Sequence, residues 1–136
     1  MILVDTTVWI DFFANNPGIH VDILENSLKT SQNISICGVI LTEILQGIHD
    51  NKQCEKTKAY LKNLIYLPMN YTTFTKSADI YRSLRKEGIT IRKSIDCMIA
   101  AVSIENNIPL LHNDRDFDYI EEYLNLKIVK ENKFTR

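Results

Sequence analysis

The stretch Gly88–Asp118, GITIRKSIDCMIAAVSIENNIPLLHNDRDFD, decides the fold. Residues 94–107, SIDCMIAAVSIENN, predict an apolar helix, and 108–112, IPLLH, is a short apolar run of the kind that forms a buried strand. DFDYIEEYL then predicts a further short helix. A helix that feeds a buried strand and leaves it by another helix is the repeating unit of an α/β domain. Acids are the surplus in this unit. Asp96 stands in the first turn of the apolar helix, and the strand empties into Asn113-Asp114-Arg115-Asp116.

The same alternation extends outward in both directions. ILV at 2–4 predicts a strand, stopped by Asp5-Thr6-Thr7, which suit a helix start. VWIDFFAN predicts that helix, ended by Asn16-Pro17-Gly18. HVDILENSLKTS predicts a second helix, NISI a second strand, and GVILTEILQGIHD a helix whose apolar face (Val39, Ile40, Leu41, Ile44, Leu45, Ile48) has Glu43 at its edge. From Lys52 to Ile65 a charged helix carries the narrower stripe Tyr60, Leu61, Leu64 and Ile65. YLPMN follows as a short strand or an edge segment, because Pro68 cannot serve a central strand. Phe74, Ala78, Tyr81 and Leu84 predict the apolar stripe of a helix that stops at Gly88, and LKIV predicts a last strand before a polar tail. The expectation is one α/β domain over residues 1–136, a mostly parallel central sheet flanked by helices in a three-layer sandwich.

Composition removes several function classes. At 136 residues with 45% hydrophobic and 24% charged residues, the chain has the balance of an ordinary globular domain. The N-terminus lacks a basic segment, and its apolar run breaks at Asp5. With no window near the ~18 apolar residues of a membrane span, a cytoplasmic protein is expected. Cys37, Cys54 and Cys97 lack metal or disulfide spacing and read as reduced core thiols. A net charge of -1 gives no overall attraction for polyanions, so any nucleic-acid contact needs a local patch. YRSLRKEGITIRKSID supplies one, with Arg82, Arg85, Lys86, Arg92 and Lys93.

In a parallel sheet ligands sit beyond the carboxyl ends of the strands. Asp5 follows the first strand and Asp114 follows IPLLH. Glu43 lies early in the helix after the second strand, and Asp96 opens its own helix. Each has an ordinary explanation: Asp96 complements a helix dipole, Asp5 and Asp114 cap helices, and Glu43 faces solvent. Those explanations do not account for all four falling at one end of the topology, where carboxylates repel and raise one another's pKa. A divalent cation removes that cost, and oxygen ligands without His or Cys favour Mg²⁺ or Mn²⁺. Metal-assisted phosphodiester hydrolysis is the chemistry such a site performs. His112 at the strand end, and His20 and His49 in segments without partner residues, read as structural or surface positions, and Trp9, Phe12 and Phe13 as core.

MILVDTTVWIDFF, TEILQGI, SIDCMIAA and LLHNDRDFD resemble, in order and spacing across almost the whole chain, the motifs of PIN-domain ribonucleases, especially the VapC toxins of toxin–antitoxin modules. The resemblance implies that Asp5 and Asp96 hold the metal most directly, that Glu43 completes the acidic site, and that Thr6 lies beside it. HNDRDF offers two candidates for the fourth acid, Asp114 and Asp116, and Asp116 is also placed to cap the short helix. The resemblance further implies a metal-dependent endoribonuclease acting on RNA such as tRNA or rRNA. Arg82, Arg85, Lys86, Arg92, Lys93 and Arg115 become candidate RNA contacts, and Arg92 is expected one turn before Asp96, where it meets a phosphate or that carboxylate. It implies a homodimer and a VapB-type antitoxin seated in an apolar groove, and Tyr60–Ile65 and VDILENSL are candidates for that groove or for the dimer face, beside their plainer role as core.

Three rivals are weaker. A receiver-like signalling domain needs an acid pair after its first strand, where ILVDTT has one. A HAD-type phosphatase needs a second Asp where Thr7 stands. A PIN-like domain that binds RNA or protein without cutting is disfavoured because no acidic position is lost.

Overall fold

The computed structural model describes residues 1–30 and 32–130. Its strands are β1 (Ile2–Val4), β2 (Ile34–Cys37), β3 (Ile65–Leu67) and β4 (Leu110–Leu111). Its helices are α1 (Thr6–Phe13), α2 (Ile19–Lys29), α3 (Gly38–Gln46), α4 (Asn51–Leu61), α5 (Tyr71–Lys86), α6 (Ser94–Asn106) and α7 (Arg115–Tyr123). The strands make a parallel sheet in the order β3-β2-β1-β4, with Leu3 opposite Ser35 on one side and Leu110 on the other. Every residue of β1 and β2 is buried, so the strands read as continuous apolar runs rather than alternating ones. Ser35 is tolerated inside because its hydroxyl donates to the Ile2 carbonyl at 2.8 Å.

The chain moves outward from β1 through β2 to β3, then returns to place β4 on the other side of β1. That reversal makes the carboxyl ends of β1 and β4 the switch point of the sheet. α1 packs on α2 and α3, and α3 on α4, while α5, α6 and α7 pack on one another. With that strand order, the right-handed crossovers that parallel sheets adopt call for the two groups on opposite faces, and α3 also meets α6. Trp9, Leu24, Ile36, Ile40, Leu84, Ile99, Leu110, Phe117 and Ile120 are among the side chains fully enclosed between them. No helix among the described residues is long and apolar enough to cross a membrane.

Several expectations need correction. The charged helix α4 ends at Leu61, and Ile65 already belongs to β3, which Pro68 terminates at the sheet edge. On α5 the buried stripe is Thr73, Ser77, Ile80 and Leu84, whereas Phe74 is 45% exposed and Ala78 lies in solvent. Thr73 can sit on the buried face because its hydroxyl is satisfied: it donates to Glu105 Oε1 at 2.6 Å and accepts from the Asn70 backbone N–H at 3.1 Å in the capping box. LKIV forms a single parallel bridge, Ile128 to Leu110, rather than a strand, and the polar tail from Glu131 lies outside the described residues. Cys37 and Cys97 are buried as expected, but Cys54 is only half-buried. Gly88 follows α5 at φ +80°, a left-handed conformation that strains any residue with a Cβ.

Candidate active site

The site begins with the way α1 leaves β1. Asp5 is the N-cap of α1, and its Oδ2 accepts from the Thr7 backbone N–H at 3.1 Å and the Thr7 hydroxyl at 2.6 Å. Thr7 Oγ1 in turn accepts from the Asn113 backbone N–H at 3.1 Å, tying the end of β1 to the loop that leaves β4. Thr6, the first residue of α1, donates its hydroxyl to Glu43 Oε1 at 2.7 Å and so draws α3 toward the same edge. Thr6 was singled out from the sequence; Thr7 was not, although its place in VDTT, two residues past a cap, is the signal for that bond.

Asp96 reaches the edge from the first turn of α6 and is 2% exposed. Its Oδ2 is buried without a hydrogen-bond partner among the described residues. Burial pushes its carboxyl up to about 7; Lys93 opposes this, and Asp114, Asp5 and Asp116 reinforce it. Burial also raises Asp5, against its two Thr7 bonds. For Asp114 burial acts upward too, yet the Asp116 backbone N–H together with Lys93 and Arg92 holds it below the usual carboxylate range. Lys93 is itself raised: burial works against it, but Asp96, Asp114, Glu43 and Asp5 together outweigh that.

Of the acids read from the sequence, Asp96 and Asp114 come together with Asp116, one oxygen from each lying within 4.8 Å of the others, while Asp5 and Glu43 stand outside that group, near enough for Asp5 to act on the charge of Asp96 and Glu43 on that of Asp5. Asp114, rather than Asp116, caps α7, its Oδ1 accepting from the Asp116 N–H at 2.9 Å, which frees the buried Asp116 side chain for the cluster. Arg92 does not pair with Asp96. The turn into α6 points it across the cleft, with Nη2 3.3 Å from Asp114 Oδ1 and Nε 3.4 Å from Asp116 Oδ2, while Lys93 Nζ stands 3.6 Å from Asp114 Oδ2. A cleft of about 560 Å³ opens over the cluster, lined by Thr90, Arg92, Asn113, Asp114, Arg115, Asp116 and Tyr119. Arg82, Arg85 and Lys86 are exposed at the far end of α5 and do not line it.

His112 is a scaffold residue here. Its Nδ1 accepts from the Asp114 N–H at 3.1 Å, and burial holds its pKa down, so the neutral ring orients the acidic loop. His20, expected to be unpartnered, instead sits 2.7 Å from Asp11 Oδ2 and fastens the α1–α2 turn. The cluster offers oxygen donors only, and it holds a buried orphan oxygen beside carboxylates that repel it. That is the donor set of a hard divalent cation, which the residues present fit.

A family model described as PIN domain matches residues 2–123. The chain is 33% identical over 129 residues to a protein of Mycobacterium bovis named VapC ribonuclease, covering 93% of this chain and 96% of that one. Its fold is similar to that in the crystal structure of VapBC2 from Rickettsia felis bound to a DNA fragment from their promoter, with a TM-score of 0.75 at 21% identity over 95% of this chain and 98% of that one. It is also similar to FitAcB from Neisseria gonorrhoeae, with a TM-score of 0.74 at 19% identity over 96% and 98% of the two chains.

Proposed function

The chain belongs to the PIN-domain family, with VapC ribonucleases among its relatives, and on that premise we propose that it is a metal-dependent endoribonuclease, the toxin of a VapBC-type pair. The observation that carries this reading is the packing of Asp96, Asp114 and Asp116 at the switch point of the sheet, with Asp96 Oδ2 buried and unpartnered. Asp96, Asp114 and Asp116, with Asp5 and Glu43 beside them, would hold Mg²⁺ or Mn²⁺. Such an ion supplies a water of lowered pKa and positive charge for the scissile phosphate.

The chain's own residues do the rest. Thr7 and Thr6 fix the carboxylates of Asp5 and Glu43, so these do not reorganise when substrate arrives. Arg92, Lys93 and Arg115 put cations at the mouth of an otherwise acidic site, which an RNA strand needs in order to approach. Arg82, Arg85 and Lys86 extend that positive edge along α5 for the flanking nucleotides.

An antitoxin of the VapB type would cover this chain where α1 and α2 leave a cleft of about 620 Å³ walled by Phe12, Phe13, Pro17, Val21 and Tyr60. Of the eight apolar residues first considered for that groove, Val21, Ile23, Leu24 and Leu61 are buried, Leu28, Leu64 and Ile65 are partly buried, and Tyr60 is exposed. A homodimer would draw on the aromatic surface of α5, where Tyr71 is 82% exposed beside Phe74. We place its action in the cytoplasm, with the RNA.

The test is cleavage of total cellular RNA by the antitoxin-free protein, in Mg²⁺ or Mn²⁺ against EDTA, with Asp96→Asn alongside. Discrete fragments that require both the metal and Asp96 are expected. Intact RNA across several pools, from protein that still folds and binds metal, would turn the reading toward a non-cutting RNA-binding domain.

A further inference from the structure

The guanidinium of Arg92 lies over the acidic cluster without being needed to build it. Asp114 is oriented by the Asp116 backbone N–H at 2.9 Å, and Asp116 by the Arg92 backbone N–H at 3.3 Å, so main-chain groups position both carboxylates. The Arg92 side chain adds two further contacts, 3.3 Å to Asp114 Oδ1 and 3.4 Å to Asp116 Oδ2. Both are longer than the ~2.7–2.9 Å of strong charge-assisted hydrogen bonds. That side chain is 71% exposed, whereas the two carboxylates it touches are 8% and 5% exposed. Ile91, 2% exposed, anchors the loop from beneath, so the side chain can swing without moving its backbone. The cleft it would swing into already holds Thr90, Arg115 and Tyr119.

We propose that Arg92 is a displaceable counter-charge: its guanidinium, held on Asp114 and Asp116, competes with the divalent cation for them and, once released, meets the RNA backbone in the cleft. This rests on the metal-dependent reading above and goes beyond it by giving one residue two successive partners. Arg92 is a counter-charge for the acids and a binding residue for the phosphate. Its two effects have opposite signs, because a positive charge beside the cluster opposes a second cation while attracting a polyanion.

The experiment is a titration of the metal-free full-length protein with Mn²⁺, followed by electron paramagnetic resonance of the free ion, for wild type, Arg92→Gln and Arg92→Lys. Losing a unit charge next to a divalent ion should tighten Mn²⁺ binding by Arg92→Gln about tenfold, and Arg92→Lys, which keeps the charge, should stay within about twofold of wild type. At saturating Mn²⁺, the KM for RNA should rise in Arg92→Gln while kcat holds. A side chain that merely braced the acids would give the reverse, weaker Mn²⁺ binding on its removal. Unchanged or weaker binding by Arg92→Gln overturns this proposal alone. Wild-type protein that binds no Mn²⁺ overturns the metal-dependent reading and this proposal together.

Discussion

Asp96→Asn should remove one large component of the pH dependence of stability in the metal-free protein. The Asp96 carboxyl rises from 3.8 to about 7 because it is buried among other acids. A carboxyl whose folded pKa is raised contributes its stability fully below the unfolded value, and that stability is lost as pH climbs toward the folded value. The window therefore runs from about pH 4 to about pH 7, and a shift of this size is worth on the order of 4 kcal/mol. Between pH 5 and pH 8 the part still to be lost is about 2 to 3 kcal/mol. Asparagine has no charge to bury, but it places a donor where Asp96 Oδ2 has no partner, a cost of about 1 to 3 kcal/mol that does not vary with pH. The assay is urea unfolding in EDTA at pH 5, 6, 7 and 8. The stability of Asp96→Asn relative to wild type should grow by about 2 to 3 kcal/mol across the series, and saturating Mg²⁺ should erase the gain by restoring the wild type. A constant difference at all four pH values would refute the claim that Asp96 is the strained acid of the cluster.

Asp5→Asn keeps a side chain able to accept from the Thr7 N–H, so RNA cleavage should vanish while the thermal midpoint moves by only a few degrees. Thr6→Val takes the 2.7 Å donor from Glu43; cleavage should drop by about tenfold to a hundredfold and recover in Thr6→Ser, measured as kcat/KM on one RNA. Ile80→Ala should cost about 2 to 5 kcal/mol in urea unfolding and Phe74→Ala under about 1 kcal/mol; reversed costs would restore the stripe expected from the sequence.

The alternation of elements is legible because strands buried on both faces are short apolar runs, and each helix announces itself by capping residues and period. Following those strand ends picks out Asp5, Glu43 and Asp114, and Asp96 is read from the first turn of its own helix. The stripe on α5 is not legible in the same way, because Thr73 and Ser77 look polar until Glu105, thirty-two positions away, gives the Thr73 hydroxyl an acceptor. The choice between Asp114 and Asp116 is equally hidden. The two differ by position within one helical turn, and the structure sends one to the cap and both to the cluster. Arg92 lies twenty-two residues before Asp114 in sequence, and its contacts depend on the path of the 89–93 loop, which no periodicity encodes.

The bond from Thr7 Oγ1 to the Asn113 N–H joins positions 106 apart in the sequence, and β1 receives β4 across a similar span. Closure over such a span is slow compared with forming local hairpins or helices. A nascent chain emerging from the ribosome displays Asp5 and Glu43 early, but it has neither Asp114 nor the strand that seats it until nearly all of the domain has been synthesised. Partial translation products of this protein should therefore lack the assembled acidic site, which comes into being only with the last docking event of the fold.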